Sequence, residues 1–155
     1  MGSLGLAETN LHFLGMIDGS MPRGGCEFKR AVEALNEIAR ENNCKTICGS
    51  SWLDPHCDHE TTGRMAWECA KAVGAKLYFY PVWSWLLASE TKLPEQRIAG
   101  WRVDISDQLD LKRRAIAAHA SQYSDLIKDD PQGFRLPPEL IEACTQPYEV
   151  LLEIA

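Results

Sequence analysis

The segment spanning residues 46–80 constrains the fold more than any other part of the chain. Thr46-Ile47-Cys48-Gly49-Ser50 reads as a short strand ending in small residues, and residues 60–73 read as a helix. That helix carries a narrow face of small side chains, Met65, Ala66, Cys69, Ala70 and Val73, and Gly74 is a suitable stop for it. Leu77-Tyr78-Phe79-Tyr80 follows as a second strand, closed by Pro81. Strand, helix and strand in succession make a βαβ unit, and such units build a parallel sheet. Between the first strand and the helix lies Asp54-Pro55-His56-Cys57-Asp58-His59, two imidazoles three residues apart with a carboxylate beside each. Loops at the carboxyl ends of parallel strands are where such folds keep their chemistry.

The rest of the chain continues the alternation. Residues 10–15 are expected to form a short strand, and Asp18-Gly19 with Pro22-Arg23-Gly24-Gly25 a loop with turn chemistry. Residues 26–41 form the clearest helix, with Phe28, Ala31, Val32, Leu35, Ile38 and Ala39 on one apolar face and Asn42-Asn43 ending it. Trp83 and Trp85 fall in a loop, residues 90–96 are polar and read as exposed, and residues 97–105 read as a further strand. Ser106 is expected to cap a helix reaching about Ala118, with Asp107 and Asp110 near its start and Lys112-Arg113-Arg114 further on, an order that suits the helix dipole. Residues 129–133 read as a turn, Pro137-Pro138 leads into a brief helix, and residues 148–154 form a last strand. The expected class is therefore α/β with a largely parallel sheet, in one domain spanning residues 1–155.

Composition narrows the function classes. At 45% hydrophobic and 25% charged residues the chain is globular. Its net charge of -6 argues against a nucleic-acid partner, which would require a basic stripe. The one dense basic run, Lys112 to Arg114, reads as the solvated face of a helix. The longest apolar run, residues 77–88, is broken by Pro81 and Ser84 and falls short of the roughly 20 residues of a membrane span. The six cysteines form no C-x-x-C pair, and residues 1–7 lack a basic and apolar leader. Reduced thiols in a cytoplasmic protein are expected.

Chemistry concentrates in the His/Asp loop. In one reading Asp58 caps the following helix and both rings are merely polar surface groups. In the other, Asp54 and Asp58 hold the imidazoles for metal binding or proton transfer, since a metal-bound imidazole usually has its second nitrogen on a carboxylate. A thiolate nucleophile at Cys57 is a third reading, weakened because adjacent residues rarely orient a base towards each other. His119 ends a helix, where the dipole favours it. Trp83, Trp85 and Trp101 read as core residues, with a ligand-stacking wall at Trp83 and Trp85 as the alternative.

Several of these motifs together resemble a known family. Asp-Pro-His-Cys-Asp-His before a helix is similar to the His-Pro-Asp-His motif of the zinc-dependent GlcNAc-phosphatidylinositol de-N-acetylases (LmbE-like, PIG-L), with Cys57 in place of the proline. Phe13-Leu14-Gly15 with Asp18-Gly19, Tyr80-Pro81-Val82-Trp83, and the run from Lys112 to Gln122 ending in His119-Ala120-Ser121-Gln122 resemble further family segments in the same order. The resemblance implies a Rossmann-like three-layer fold. It implies His59 as a ligand of zinc or another divalent cation, and His56 as general acid or oxyanion stabiliser oriented by Asp58. Arg64, Trp83 and His119 would lie on the substrate side. The implied reaction is hydrolysis of an N-acetyl group on an amino-sugar conjugate, giving acetate and a free amine.

One family element is absent. The N-terminal Ala-His-Pro-Asp-Asp motif, which supplies the other two ligands and the general base, has no counterpart here. The chain is expected to lack the N-terminal strand that carries it and to ligate the cation incompletely, since catalytic zinc takes three protein ligands. Two consequences follow as expectations: a deacetylase whose site is completed by another segment, a second copy or a partner chain along an exposed sheet edge, or a non-catalytic remnant that binds ligand or serves as a scaffold.

Overall fold

The computed structural model describes residues 4–88, 90–91, 98–124, 126–127, 129 and 134–154. Most of the expected segment at 90–96, residue 97 of the expected strand, and most of the turn at 129–133 lie outside these residues. The chain forms two compact units, one of residues 14–102 with 150–155 and one of residues 1–13 with 103–149. No helix among the described residues is long and apolar enough to cross a membrane.

The larger unit is built on the βαβ segment. α1 (Gly25–Glu41) buries Ala31, Asn36 and Ala39, and ends where the backbone and side-chain N–H groups of Asn42 both donate to Ile38 O. After β1 (Thr46–Ser50) comes α2 (Cys57–Val73), which starts three residues earlier than its apolar periodicity predicts. It stops as expected at Gly74, whose φ of 70° is left-handed. β2 (Lys76–Tyr80) then lies parallel to β1, in register from Thr46 opposite Lys76 to Ser50 opposite Tyr80. α2 packs on both α1 and β1.

Two glycines set how closely α2 approaches the sheet. A Cβ on Gly63 would lie 2.6 Å from both Ser50 O and Trp52 N, and one on Gly49 would lie 2.8 Å from the Ala66 Cβ. The core beneath consists of Met65, Ala66, Cys69, Ala70 and Phe79, the last wholly buried. Trp52 packs edge-on against Phe79 with centroids 4.6 Å apart. Trp52, itself half-buried, is thus the tryptophan that packs on Phe79. Trp83 and Trp85 are half-buried in a 3-10 turn at Trp83–Leu86, and Trp101 is exposed, with its ring edge-to-face to Tyr78.

The sheet is mixed. Its order is β1-β2-β4-β3, with β3 at Ile98–Asp104 and β4 at Tyr148–Ile154. β4 enters antiparallel to β2, with Phe79 opposite Leu152, and the β4–β3 pair is antiparallel too. The expectation of a largely parallel sheet therefore holds only for β1 and β2. The reason is topological: a crossover helix enforces parallel strands, and α2 is the crossover for this pair alone. β1 and β3 are the edges. The strand expected at residues 10–15 does not form. Residues 8–10 make a 3-10 turn, Gly15 has a φ of 66°, and Phe13 is 90% exposed, so the segment pairs with no strand and buries no side.

In the smaller unit Asp104 accepts from both Ser106 N (2.9 Å) and Ser106 Oγ (2.6 Å), opening a 3-10 turn at Ser106–Gln108. The group that accepts at this helix start is thus Asp104, not Ser106. α3 (Leu109–Ala117), α4 (Ala120–Tyr123) and α5 (Pro138–Cys144) follow, the last with proline in its first turn as expected. Arg113 and Arg114 are exposed, whereas Lys112 pairs with Glu149 at 2.6 Å.

Candidate functional site

The His/Asp loop leaves the carboxyl end of β1 and becomes the first turn of α2. His56 is the N-cap: its backbone is extended (φ -84°, ψ 131°) and its ring nitrogen Nδ1 accepts from the Asp58 N–H at 3.2 Å. The capping acceptor is therefore His56 rather than Asp58. A backbone N–H can only donate, so Nδ1 carries the lone pair. A neutral His56 ring then holds its proton on Nε2.

His59, one turn along, is held in the opposite sense. Its Nδ1 lies 2.9 Å from Asp54 Oδ1. The Asp54 side chain is 0% exposed, and it accepts four further bonds. The His56 N–H binds the same oxygen at 3.2 Å, while Val82 N, Ser84 N and Ser84 Oγ bind Oδ2, each at 3.1 Å. Burial alone would raise this carboxyl, but His59 and the backbone donors outweigh it and hold Asp54 below the ordinary aspartate value. A carboxylate only accepts, so His59 donates from Nδ1, and a neutral His59 ring then presents the lone pair of Nε2. The two rings, with centroids 4.7 Å apart and planes tilted by 38°, thus show opposite faces: a proton at His56 Nε2 and a lone pair at His59 Nε2. Ser50 Oγ, at the end of β1, donates to His59 O at 2.9 Å and ties this turn to the strand.

Asp58 is buried beside them, and its carboxylate also serves the loop before α1. It accepts from Gly19 N at 2.6 Å and Met21 N at 3.3 Å, anchoring the loop before α1. Burial pushes the carboxyl up and these donors, with Cys57, pull it down further, leaving it below its usual value. Asp58 meets His56 through its own N–H, which the ring nitrogen caps, and its carboxylate is also close enough to attract that ring by charge. Cys57 Sγ reaches Asp58 Oδ1 at 3.5 Å and Gly19 O at 3.9 Å, and neither partner is an imidazole that could serve as a base.

The remaining expected site residues are scattered. Arg64 sits on the exposed side of α2, ion-paired to Glu60 at 2.7 Å. Trp83 lies in the turn whose neighbours Val82 and Ser84 donate to Asp54. His119, between α3 and α4, belongs to the smaller unit. Sequence reasoning did not find Ser84, nor the joining of this loop to Gly19 and Met21. Those bonds link residues 28 to 39 positions apart, and no local pattern encodes them.

Which donors could hold a cation follows from this geometry. His56, Cys57 and Asp58 offer ligand atoms within 4.8 Å of one another, the one such group of three among the described residues. Two of its members already serve elsewhere: His56 Nδ1 caps α2, and the Asp58 oxygens hold the 19–21 loop. His59 is the better prepared ligand, with one nitrogen fixed on a buried carboxylate and the other presented, as zinc-bound histidines are. It fits zinc as a single donor. No family model, no curated protein and no solved structure matches the chain.

Proposed function

We propose that this chain carries the imidazole half of a zinc-dependent amide hydrolase site, one that removes an N-acetyl group from an amino-sugar conjugate to give acetate and the free amine. The observation that carries the reading is the pair of oppositely held imidazoles on the loop after β1. His59 offers a lone pair braced by Asp54, and His56 offers an N–H beside it. Those are the two roles that the resemblance to the GlcNAc-phosphatidylinositol de-N-acetylase family assigns to these positions. When bound, zinc supplies Lewis-acid polarisation of the amide carbonyl and activation of water. His59 Nε2 would hold it. His56 Nε2–H would donate to the carbonyl oxygen as charge develops there, or to the departing nitrogen.

Two further ligands and a general base must come from outside the described residues. β1 is a sheet edge, and the His56–His59 loop leaves its carboxyl end. A strand added parallel to β1 would bring its own carboxyl-end loop beside His59. A strand so placed, from another segment or a partner chain, would also move the sheet towards the Rossmann-like form. The six unpaired thiols suit the reducing cytoplasm.

Competition titration of zinc against a chromophoric chelator tests the reading, together with acetate release from N-acetylglucosamine conjugates. Because the chain by itself offers one prepared donor, zinc uptake by the wild type should be weak, and His59→Ala should abolish it. Zinc uptake by the wild type that His59→Ala leaves unchanged, or no uptake at all, overturns the proposal. A second reading, a non-catalytic ligand-binding module, is favoured by the lack of any three-donor group that includes His59 among the described residues. It predicts no zinc and no acetate, but a thermal shift with the sugar conjugate.

A further inference from the structure

Asp54 has more hydrogen bonds than any structural turn requires. It lies two residues before the helix cap, it is wholly shielded from solvent, and its five donors come from two different loops. Three of these donors are backbone N–H groups, which cannot accept, so a protonated carboxyl would have only His59 Nδ1 or Ser84 Oγ to donate to. The carboxylate is the form that accepts from all five at once, and in it the partner His59 carries hydrogen on Nδ1. Left to itself, a neutral histidine side chain favours hydrogen on Nε2, the arrangement that would block coordination through that nitrogen.

We propose that Asp54 is a positioning residue. One of its oxygens fixes His59 as the Nδ1–H tautomer and so makes Nε2 the nitrogen offered to a ligand. The other locks the Val82–Ser84 turn, which carries Trp83, at a set distance from that ring. The two oxygens divide the work, Oδ1 serving His56 N and His59 and Oδ2 serving Val82 and Ser84. One buried charge thereby fixes both the ring that would hold a cation and the aromatic turn beside it. The tautomer and the turn need no cation; only the consequence for zinc rests on the function proposed above.

The experiment is to read the imidazole nitrogens of the metal-free chain by ¹⁵N NMR, for the wild type, Asp54→Asn and Ser84→Ala, at a pH where the rings are neutral. In the wild type, His59 should give a protonated Nδ1 and an unprotonated Nε2, with His56 the reverse. Asn can accept at only one atom, so Asp54→Asn should shift His59 towards Nε2–H and weaken zinc binding by roughly 10- to 100-fold. Ser84→Ala removes a donor to the other oxygen and should leave the His59 tautomer unchanged. A wild-type His59 with hydrogen on Nε2, or an averaged spectrum, overturns the proposal, and so does a folded Asp54→Asn that keeps the Nδ1–H form. Should Asp54→Asn fail to fold, the wild-type spectrum decides. A wild type with the expected tautomer that takes up no zinc leaves Asp54 in its role and removes the zinc reading; zinc uptake with hydrogen on His59 Nε2 does the opposite.

Discussion

Gly63→Ala is the most direct test of how the site is mounted on the fold. Gly63 lies one turn after His59 on the face of α2 that meets β1. Its added Cβ would come within 2.6 Å of Ser50 O and Trp52 N and 3.1 Å of Ser51 C. All three are backbone atoms. The Ser50 end of β1 is pinned by its register with Tyr80, and Ser51 N donates to Tyr80 O at 3.2 Å. No rotamer change can relieve the overlap, so α2 must lift from the strand. Overpacking typically costs 1–3 kcal/mol, and a fixed backbone neighbour puts this case near about 3. Alanine regains about 1 kcal/mol in helix propensity. The net expectation is a loss of about 2 kcal/mol, read as a lower urea midpoint with an unchanged slope. Lifting α2 also strains the 2.9 Å bond from Ser50 Oγ to His59 O, so zinc uptake should fall with stability. Gly49→Ala is the informative contrast. Its Cβ meets a side-chain atom, the Ala66 Cβ at 2.8 Å, so adding Ala66→Gly should relieve the clash, whereas Gly63→Ala has no such partner to trim. Stability of Gly63→Ala equal to or above that of the wild type would refute the reasoning, because it would show that helix and strand can part without loss.

Two other outcomes follow from buried groups. Asp58 is held below its usual value by Gly19 N and Met21 N, so its contribution is fully present above the unfolded value near 4 and is lost as pH falls through the lower folded value. The urea-midpoint gap between wild type and Asp58→Asn should stay constant from about pH 7 to 5 and narrow below about 4; an unchanged gap at the acid end would contradict the sign. Burial raises the Cys69 thiol, whereas Cys26 and Cys48 are exposed, so iodoacetamide at mildly alkaline pH should label the exposed pair first. Mass spectrometry showing Cys69 alkylated as fast as Cys48 would count against the packing of α2 on β1.

The parts of the fold that could be read from the sequence are those whose cause is local. The small-residue face of α2, the stop at Gly74, the asparagines after α1 and the proline opening α5 each act within a turn or two, and each appears where expected. The strand expected at residues 10–15 failed because a run of apolar residues is a strand only if a sheet edge receives it. Here Phe13 and Ile17 stay in solvent. The mixed sheet escaped for a related reason. Helix-strand alternation speaks for a parallel partner only where the helix makes a crossover between neighbours, and β4 arrives between β2 and β3 from far along the chain.

The site divides along the same line. That two imidazoles and two carboxylates share one loop is plain from Asp54 to His59. How each carboxylate residue meets its ring is not, because Asp58 meets His56 through its backbone N–H while Asp54 meets His59 through its side chain. The difference arises at the helix start. Once His56 becomes the N-cap, its Nδ1 must accept from Asp58 N, and the buried Asp58 side chain accepts from Gly19 and Met21. Asp54, preceding the cap, then faces the interior and collects donors from Val82 and Ser84, together with the ring one turn ahead. A His-x-x-His spacing across a helix N-terminus thus places one ring as acceptor to the backbone and leaves the other to find its own acceptor. Two identical side chains three residues apart take opposite hydrogen-bonding roles, one accepting from a backbone N–H and the other set on a buried carboxylate, and in the proposed function that asymmetry would let one hold a cation while the other donates a proton.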